Sequence, residues 1–468
     1  MKVEQIYTGC LAEAAYYIES NGEAIIIDPL RETEPYLKRA EQDGAKIKYV
    51  LETHFHADFV SGHVDLAKKT GATIVYGPNA TAAFDIHVAK DGEEFKIGDV
   101  TIKVLHTPGH TMESTTYLLR DEKGADYALF TGDTLFIGDV GRPDLAVKTE
   151  MSVEDLAGYL FDSLRNKIMP LADGLLIYPA HGAGSACGKN LSKETFSTLG
   201  QQKQFNYALR ADMTKEEFII EVTDGLAPPP QYFPKNALIN KMGYDSIDSI
   251  LEKGTTGLNP ALFEEVANSY DALVLDTRSE AEFVKSHIPK SIFIGIDGSF
   301  APWVGALITD IEQKILIVTE PGREEEVVTR LARVGYDNTL GYLEGGLDAW
   351  ILAGKDVDAL VSISAGVFEK TYISEPDILI SDVRKCTEYD AEHAVNAINL
   401  PLDHINKNML EYNKQDKYYL YCGGGYRSVI AGSILKSRGY HNLVNVEGGY
   451  GAIKNTSIPR EVTIPQTV

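Results

Sequence analysis

The chain has 468 residues, with 44 Lys and Arg against 68 Asp and Glu, so its formal net charge is −24. This acidic balance argues against a nucleic-acid partner, because phosphate binding needs clustered basic side chains. No apolar run approaches the roughly 20 residues of a membrane span, and four widely spaced cysteines favour free thiols over a disulfide framework. We therefore expect a cytoplasmic location, no contact with nucleic acid or membrane, and about three domains.

Short apolar runs in the first part of the chain end at ionisable side chains. The predicted strands cover residues 24–28, 49–53, 128–133 and 175–181, and each one finishes at a carboxylate or histidine or directly before a histidine. Polar groups delivered repeatedly by strand ends predict a functional site at one edge of a sheet.

The second of these runs leads into a dense group of possible metal ligands. His54, His56 and Asp58 fall within five residues, and they are costly to bury unless a cation organises them. Further members follow on turns marked by Gly or Pro: His110, Asp133 and His181. A single histidine of this kind is more often an ordinary core or surface residue, but the whole set in this order favours a metal site.

This set resembles the H-x-H-x-D-H, His, Asp, His pattern of the metallo-β-lactamase superfamily, over about residues 1–225. The resemblance implies a four-layer αββα sandwich with the metal at the sheet edges. Position 59, which carries His in two-metal members, is Phe59 in this chain. A phenyl ring cannot bind a metal, so we expect a one-metal site.

Among one-metal members, the resemblance is to persulfide dioxygenases, which hold Fe(II) with two histidines and one carboxylate. That arrangement leaves coordination positions open for O2 and a substrate sulfur. It implies one Fe(II) per chain, bound by His54, His110 and Asp133. The remaining members would orient these ligands and tune their basicity: His56, Asp58 and His181.

Two further residues near this motif resemble substrate-binding positions of the same family. Residues 181–188 are similar to its HGAGSxCG segment, which contains Cys187. Arg142 resembles the arginine that meets the anionic thiol carrier of the substrate. A structural loop arginine remains the alternative for Arg142, and a small buried side chain remains the alternative for Cys187.

A proline-rich run at residues 228–234 marks a boundary. It predicts a stiff, extended connector, with residues 228–257 as linker and residues 1–227 as the first domain. Binding to a proline-recognition module is an alternative use of the run.

Beyond it the chain repeats itself at an offset of about 105 residues. Each copy alternates strand and helix, which predicts a parallel sheet with crossover helices. The predicted domains are residues 258–356 and 357–459, and the tail at 460–468 carries no clear signal. The matching pairs are Asp276 with Asp382, Arg278 with Arg384, His287 with His393, and Gly346 with Gly449.

The second copy contains a glycine-rich cysteine loop between a strand at residues 418–421 and a helix. The loop runs from Cys422 to Arg427, and its amides can point inward and stabilise an anionic sulfur. Its length resembles the rhodanese loop, whereas the related phosphatases have one residue more. The resemblance implies that Cys422 carries a persulfide, that Arg427 stabilises it, and that substrate contacts come from Gly423, Gly424, Gly425, Tyr426 and Ser428.

The first copy lacks this chemistry. Alignment of the two copies places Val318 opposite Cys422 and Arg323 opposite Arg427, so the first copy has no thiol to carry sulfur. Glu320 in the same segment would oppose an anionic guest. We expect a non-catalytic rhodanese-like domain that serves as a spacer or docking surface.

The layout as a whole resembles bacterial persulfide dioxygenase–rhodanese fusions. The resemblance implies oxidation of a low-molecular-weight thiol persulfide by O2 to sulfite and thiol, and exchange of sulfane sulfur with sulfite and thiosulfate at Cys422. It also implies self-association into a homo-oligomer. Glutathione, coenzyme A, cysteine and bacillithiol all remain open as the carrier thiol.

Three other functions fit parts of the sequence. A binuclear-zinc thioester hydrolase of the glyoxalase II type is disfavoured by Phe59. A lactamase or other zinc hydrolase leaves the cysteine loop unexplained. A sulfide-responsive scaffold with dead sites is disfavoured by the intact ligand set and by Cys422.

Overall fold

The computed structural model describes residues 1–146, 151–375 and 377–463. These residues form two compact units. The first unit contains residues 1–247 together with 332–335, and the second contains residues 248–331 together with 336 onwards. Both predicted repeats therefore lie in the second unit, apart from residues 332–335 of the first repeat.

The first unit is built from two six-stranded sheets with helices on their outer faces. Its strands are β1 Lys2–Thr8, β2 Glu13–Ser20, β3 Glu23–Ile27, β4 Lys46–Leu51, β5 Thr73–Tyr76, β6 His87–Val88, β7 Glu94–Ile97, β8 Val100–His106, β9 Thr115–Arg120, β10 Asp126–Gly132, β11 Leu176–Pro179 and β12 Ser197–Thr198. Its helices are α1 Glu34–Gln42, α2 His63–Thr70, α3 Val153–Ser163, which continues as a π-helix at Leu164–Ile168, α4 Leu199–Phe205, a 3-10 turn at Tyr207–Leu209, α5 Lys215–Thr223 and α6 Phe233–Met242.

Three apolar layers hold these elements together. Side chains such as Ile27 and Phe130 fill the space between the sheets. Tyr36 of α1 packs on the outer face of the first sheet, and Leu160 of α3 packs on the outer face of the second. The expected αββα sandwich is therefore confirmed.

Strand direction brings the polar strand ends to one edge. The first sheet has the order β1-β2-β3-β4-β5-β6, and β4 runs parallel to both of its neighbours. The second sheet has the order β12-β11-β10-β9-β8-β7. β8 and β10 are both antiparallel to β9, and β10 is parallel to β11, so β8, β10 and β11 all end on the same side. The segments that follow β4, β8, β10 and β11 carry the predicted ligands.

The structure corrects part of the expectation of an extended connector at residues 228–234, since only residues 228–230 lie outside helix, strand and turn. Phe233 and Pro234 begin α6 instead, because proline is well tolerated in the first turn of a helix. Asn240 of α6 is buried in the first unit, so this segment is part of the first unit's structure.

The second unit contains two five-stranded parallel sheets, one for each repeat. A helix, α7 Ile247–Gly254, precedes the first repeat, which comprises β13 Gly257–Leu258, α8 Pro260–Tyr270, β14 Leu273–Asp276, α9 Glu280–Lys285, β15 Ile292–Phe293, α10 Phe300–Leu307, β16 Ile315–Val318, α11 Glu324–Ala332, β17 Thr339–Leu343 and α12 Gly346–Leu352. The second comprises β18 Val361–Ser364, α13 Ala365–Ser374, β19 Leu379–Asp382, α14 Cys386–Ala391, β20 His393–Ala394, β21 Ala397–Asn399, short helical turns at Leu402–His404, α15 Ile405–Asn408 and Met409–Glu411, then β22 Tyr418–Tyr421, α16 Tyr426–Ser437, β23 Leu443–Glu447, α17 Gly449–Ile453 and β24 Arg460–Glu461.

The two repeats share one topology, with strand orders β13-β17-β16-β14-β15 and β18-β23-β22-β19-β21. The parallel sheets confirm the predicted α/β class. The repeated motif residues hold each copy together: Arg278 and Arg384 each pair with the aspartate two residues earlier, with closest contacts of 2.6 Å. These landmarks are therefore structural in both copies.

The strand register corrects the alignment of the repeats by one residue. Asp276 pairs with Val318, while Asp382 pairs with Tyr421. Thr319, which follows Val318, is therefore the counterpart of Cys422. The conclusion that the first copy has no thiol at this position is unchanged.

The predicted tail contains one short strand, β24, which pairs with β20. Residues 464–468 lie outside the described residues. In the part of the chain that the structure describes, no helix is long and apolar enough to cross a membrane.

Candidate metal centre and cysteine loop

A short chain of hydrogen bonds orients His54 just after β4. The Thr53 hydroxyl donates to Asp28 Oδ2 at 2.8 Å, and His54 Nδ1 lies 3.0 Å from the same hydroxyl oxygen. The Nδ1 proton of His54 can therefore be donated to Thr53, which leaves Nε2 facing Asp133 Oδ2 at 4.0 Å. Burial lowers the pKa of His54 well below its ordinary value, and neighbouring imidazoles act in the same direction. A neutral imidazole is the form that binds metals.

His110 is oriented in a similar way. Its Nδ1 lies 2.8 Å from the backbone carbonyl of Arg142, which can only accept a hydrogen bond. Nε2 is thereby left with its lone pair and lies 3.4 Å from Asp133 Oδ2. Such backbone support fixes the tautomer and ring orientation of metal-binding histidines.

The carboxylate of Asp133 completes this group. Both of its oxygens are buried and have no hydrogen-bond partner among the described residues. Ligand atoms of His54, His110 and Asp133 all lie within 4.8 Å of one another. A buried carboxylate without partners is costly, and a divalent cation between these three side chains would offset that cost. The predicted ligands are thus brought together by the structure.

His56 points away from this group. Its Nε2 lies 3.0 Å from Asp28 Oδ1 and 3.3 Å from Glu52 Oε2. Burial opposes protonation, but the two carboxylates outweigh it and raise the pKa of His56 well above its ordinary value. The ring stacks on Phe59 with centroids 4.3 Å apart. In this structure the Nε2 atom of His56 faces Asp28 and Glu52, and His56 is their buried partner.

The other predicted neighbours form a second buried group beside the first. Ligand atoms of Asp58, His181 and Cys187 lie within 4.8 Å of one another. His181 Nε2 is 3.4 Å from Asp58 Oδ2 and 3.6 Å from Asp133 Oδ1. Burial, followed by the charges of Asp58 and Asp133, raises the pKa of the Cys187 thiol well above its ordinary value. These contacts favour a protonated thiol at Cys187.

Arg142 is occupied by contacts within the protein. Its guanidinium donates to both oxygens of Asp144, at 2.6 and 2.7 Å, and to the carbonyls of Ala186 and Ala227. Its own carbonyl is the acceptor that orients His110. The structure therefore gives Arg142 a positioning role, and its predicted contact with a thiol carrier stays a prediction.

Asn240 of α6 was missed in the sequence. Its amide donates to the carbonyls of His56 and Phe59 at 2.8 and 2.7 Å and accepts from the backbone N–H of Ser61 at 2.9 Å. It thus fixes the segment that carries the histidine motif. Asn240 lies about 180 residues beyond that motif, in a segment without a recognisable pattern, so nothing in the sequence singles it out.

One backbone N–H and one hydroxyl of the cysteine loop face its sulfur. The N–H of Gly425 donates to the Cys422 sulfur at 3.1 Å, and the Ser428 hydroxyl lies 3.6 Å from it. The start of α17 fixes the loop from below, because the N–H groups of Tyr450 and Gly451 donate to the carbonyls of Cys422 and Gly423. The Gly425 amide and the Ser428 hydroxyl therefore face the position at which a transferred sulfur would be bound.

The remaining loop residues are held from outside the loop. Arg427 forms two hydrogen bonds to the carboxylate of Glu388, at 2.6 and 2.8 Å. These bonds lower the pKa of Glu388. Gly423 lies against this pair, since a Cβ there would meet Arg427 Nη2 at 3.1 Å, and Gly424 is exposed. The contact with Glu388 was not predicted, although the repeat pattern marks that position.

Tyr426 does not face the sulfur. Its hydroxyl donates to the carbonyl of Gly295 in the first repeat, at 2.7 Å. In that first repeat, Arg323 pairs instead with Asp297 and Glu326. Tyr426 therefore connects the cysteine loop to the first repeat.

These features define a two-part enzyme, with a candidate metal centre in an αββα sandwich and a cysteine loop in a repeated α/β unit. The metallo-β-lactamase superfamily model matches residues 8–181, and the rhodanese-like domain model matches residues 259–353 and 369–456. The chain therefore belongs to the metallo-β-lactamase superfamily and continues into two rhodanese-like domains.

The chain is similar to enzymes with two different reactions. It is 31% identical over 211 residues to the mitochondrial persulfide dioxygenase of Homo sapiens, which covers 45% of this chain and 74% of that protein. It is 29% identical over 230 residues to a probable hydroxyacylglutathione hydrolase of Schizosaccharomyces pombe, which covers 44% of this chain and 85% of that protein.

A solved structure spans more of the molecule. The crystal structure of a metallo-β-lactamase from Staphylococcus aureus is 32% identical and covers 73% of this chain and 98% of that chain, with a TM-score of 0.64. These matches establish the class, and the choice between the two reactions depends on the site itself.

Proposed function

We propose that the chain is an iron-dependent persulfide dioxygenase joined to a thiosulfate sulfurtransferase. The first reaction converts a thiol persulfide, O2 and water into the free thiol, sulfite and two protons. The second moves a sulfane sulfur between thiosulfate or a persulfide and the Cys422 thiolate. The substrates are a low-molecular-weight thiol persulfide, O2 and the pair sulfite and thiosulfate.

The observation that carries the first half is the orientation of His56. Because His56 pairs with Asp28 and stacks on Phe59, the candidate centre keeps two histidines and one carboxylate, His54, His110 and Asp133. Two histidines and one carboxylate are the ligand set of non-haem Fe(II) oxygenases. Ferrous iron held in this way supplies open coordination positions at which O2 can be activated for reaction with sulfur.

The protein contributes position and charge to this reaction. Thr53 and the Arg142 carbonyl hold the two imidazoles in the tautomer that leaves Nε2 free. Asp133 supplies negative charge that partly neutralises a divalent cation. The surrounding residues are almost completely buried, which keeps bulk water away from the reacting sulfur.

The second half is supported by the Cys422 loop. In the forward step the Cys422 thiolate attacks the outer sulfur of thiosulfate, a sulfur–sulfur bond forms to Cys422, and the bond to the sulfite sulfur breaks. Sulfite leaves with the bonding electron pair, so no net oxidation occurs. The amide of Gly425 stabilises the charge on sulfur. The reverse step makes thiosulfate from sulfite.

The test of the first half is metal content together with O2 uptake. Protein purified without oxygen should contain one iron per chain and consume O2 when glutathione persulfide is added. His110→Ala should lose most of its iron and its O2 uptake, because a ligand is removed. His87→Ala is the control, since His87 is exposed and forms an ion pair with Glu93 away from the predicted ligands. Full iron content in His110→Ala would contradict the ligand assignment.

A second candidate function is hydrolysis of a hydroxyacylglutathione thioester at two zinc ions. It is favoured by the similar relatives and by the second group of Asp58, His181 and Cys187 beside Asp133. Two zinc ions per chain together with turnover of S-lactoylglutathione would establish this function in place of the dioxygenase.

A further inference from the structure

A cavity of about 420 Å³ lies beside the cysteine loop, entirely within the second unit. Gly424 and Gly425 of the loop form part of its lining. Gly425 is also the residue whose N–H donates to the Cys422 sulfur. Gly425 therefore lines the cavity and also contacts the sulfur of Cys422.

One wall of this cavity comes from the non-catalytic repeat. The lining includes four residues of α9, Glu280, Ala281, Val284 and Lys285. α9 is the counterpart of α14, the helix in the catalytic repeat that carries Glu388. The repeat without a nucleophile thus supplies side chains next to the nucleophile of the other repeat.

This wall is fixed relative to the loop by Tyr426. The Tyr426 ring packs edge-on against Phe293, with centroids 5.7 Å apart, and its hydroxyl donates to Gly295. A Cβ at Gly298 would lie 2.4 Å from the ring, so glycine is needed to make room for it. The Phe293 ring in turn contacts Phe283 of α9, with centroids 5.2 Å apart, so these rings connect the loop to α9.

The lining combines apolar surface with charges of both signs. Ala281 and Val284 contribute methyl groups, while Glu280 and Lys285 are exposed and form no ion pair among the described residues. A volume of this size belongs to the range of small organic ligands and exceeds what thiosulfate or cyanide can fill. An organic molecule with an ammonium and a carboxylate group matches this surface better than a small anion does.

A polar connection runs from the loop into the same cavity. Ser428 lies 2.7 Å from Asn445 Oδ1, and Asn445 Nδ2 donates to the hydroxyl of Ser362 at 2.9 Å. Asn445 and Ser362 both line the cavity. These groups offer hydrogen bonds to the amide or carboxylate of a bound molecule.

We propose that this cavity binds the organic part of a zwitterionic low-molecular-weight thiol that exchanges sulfur with Cys422, and that α9 of the non-catalytic repeat is its specificity wall. The inference rests on the proposed sulfurtransferase function of the loop. The thiolate attacks the outer sulfur of the Cys422 persulfide, a bond forms between these two sulfurs, and the Cys422 thiolate leaves with the electron pair. The thiol proton goes to solvent, and the reverse reaction follows the same path.

The experiment compares a large acceptor with a small one in the full-length protein. Thiosulfate is the donor, and glutathione or cyanide is the acceptor. Ala281→Trp places an indole in the cavity from an exposed position on α9. We expect kcat/KM for glutathione to fall at least about tenfold while the value for cyanide stays unchanged.

The matched control is Ala261→Trp. Ala261 is also exposed and also occupies the second position of a helix in the same repeat, but it lies outside the cavity lining. This control should leave kcat/KM for glutathione and for cyanide unchanged.

A second variant, Lys285→Glu, should raise the KM for glutathione about two- to fivefold. The KM for cysteamine, which has no carboxylate, should stay unchanged or fall.

The outcomes separate the inference from the proposed function. Equal losses with glutathione and cyanide in Ala281→Trp would show that α9 only supports the loop and would overturn the inference. An Ala281→Trp protein with unaltered glutathione kinetics would overturn it as well. If the unaltered protein transfers no sulfur to cyanide, the sulfurtransferase function itself is refuted.

Discussion

A single carboxylate, Glu388, decides how much positive charge the cysteine loop offers to an anion. Its two hydrogen bonds to Arg427 fix the guanidinium beside Gly423 and neutralise part of its charge. Binding of thiosulfate, which carries two negative charges, therefore depends on the backbone amides as well as on Arg427. Because Glu388 acts through Arg427, it is a positioning residue.

We predict that Glu388→Gln lowers the KM for thiosulfate about two- to fivefold, because the amide keeps a hydrogen bond to Arg427 but removes the opposing charge. Steady-state kinetics at low and high salt measure this, and the difference should shrink at high salt. Glu282→Gln is the control, since Glu282 occupies the same place in the first repeat and caps Ser279. An unchanged or higher KM in Glu388→Gln would contradict the prediction.

The same pair has a pH dependence of defined sign. Because Arg427 lowers the pKa of Glu388 in the folded protein, the pair stabilises the fold fully above the ordinary range of a glutamate. Its contribution is lost as the pH falls through the lowered pKa. Thermal melting between pH 3 and 7 should therefore show a smaller acid-induced loss of Tm in Glu388→Gln than in the unaltered protein.

At the scale of elements, the turn between β23 and α17 supports the cysteine loop from below. Gly449 has a φ of +53°, and a Cβ there would lie 2.3 Å from the carbonyl oxygen of Cys422. Gly346 occupies the equivalent turn with a φ of +62°. The atom nearest to a Cβ built at Gly346 is the Thr319 carbonyl oxygen, at 3.8 Å. The two positions share the backbone strain and differ in the steric contact.

We predict that Gly346→Ala loses about 1–2 kcal/mol of unfolding free energy, as expected for a left-handed conformation with a Cβ. Gly449→Ala should lose more than this, because its Cβ also meets the Cys422 carbonyl oxygen at 2.3 Å. Only Gly449→Ala should also lose sulfur transfer, because the added methyl group displaces the loop carbonyl. Urea unfolding and thiosulfate:cyanide exchange measure the two effects. Equal activity in the two variants would show that the turn does not position the loop.

Helix α6 has a comparable role in the first unit. We predict that Asn240→Ala lowers the free energy of unfolding by about 1–3 kcal/mol, since it leaves the buried carbonyls of His56 and Phe59 without a donor. It should also weaken iron binding, because the segment that carries His54 loses its anchor. Urea unfolding and iron content measure both effects. Stable protein with full iron would show that α6 does not position the centre.

At the scale of the whole molecule, the two proposed activities share sulfite and a thiol persulfide. Joining them in one chain raises the local concentration of these intermediates for the second reaction. The final product should therefore depend on Cys422 even when O2 uptake does not.

We predict that Cys422→Ser accumulates sulfite where the unaltered protein accumulates thiosulfate, with O2 uptake retained. Thiosulfate exchange should fall on the order of 10³-fold or more, because the nucleophile is removed. Cys386→Ser is the control, since Cys386 is exposed and outside the loop. Product analysis by anion chromatography tests the prediction, and undiminished thiosulfate formation in Cys422→Ser would contradict it.

The candidate ligands implied by the family resemblance lie close together because they follow strand ends. His54, His110 and Asp133 follow β4, β8 and β10. Strand direction brings the ends of these strands to one edge of the sheets, independently of the loop conformations. Contacts set by distant packing were not predictable in this way. Asn240 reaches its partners across about 180 residues, and the pairing of Glu388 with Arg427 depends on how a helix lies against a loop.

The extended linker was mispredicted for a local reason. Proline is disfavoured in the interior of a helix but favoured in its first turn. Pro234 therefore lies at the start of α6, where the sequence had predicted that no helix forms. The one-residue error in aligning the repeats has a similar origin. Sequence landmarks on either side of a loop do not fix the strand register, which backbone pairing determines.

Gly295 and Gly298 leave room for the Tyr426 ring, and this limits how far the sequence of the first repeat can diverge. Thr319 lies at the position of Cys422 but has no thiol, so no sulfur chemistry constrains that buried side chain. By contrast, any side chain added at Gly298 would displace the Tyr426 ring. That displacement would disturb the sulfur transfer proposed for Cys422 in the second repeat. A saturation scan should therefore find intolerant glycines in a domain that has no chemistry of its own, and such positions would be misread as remnants of a lost active site.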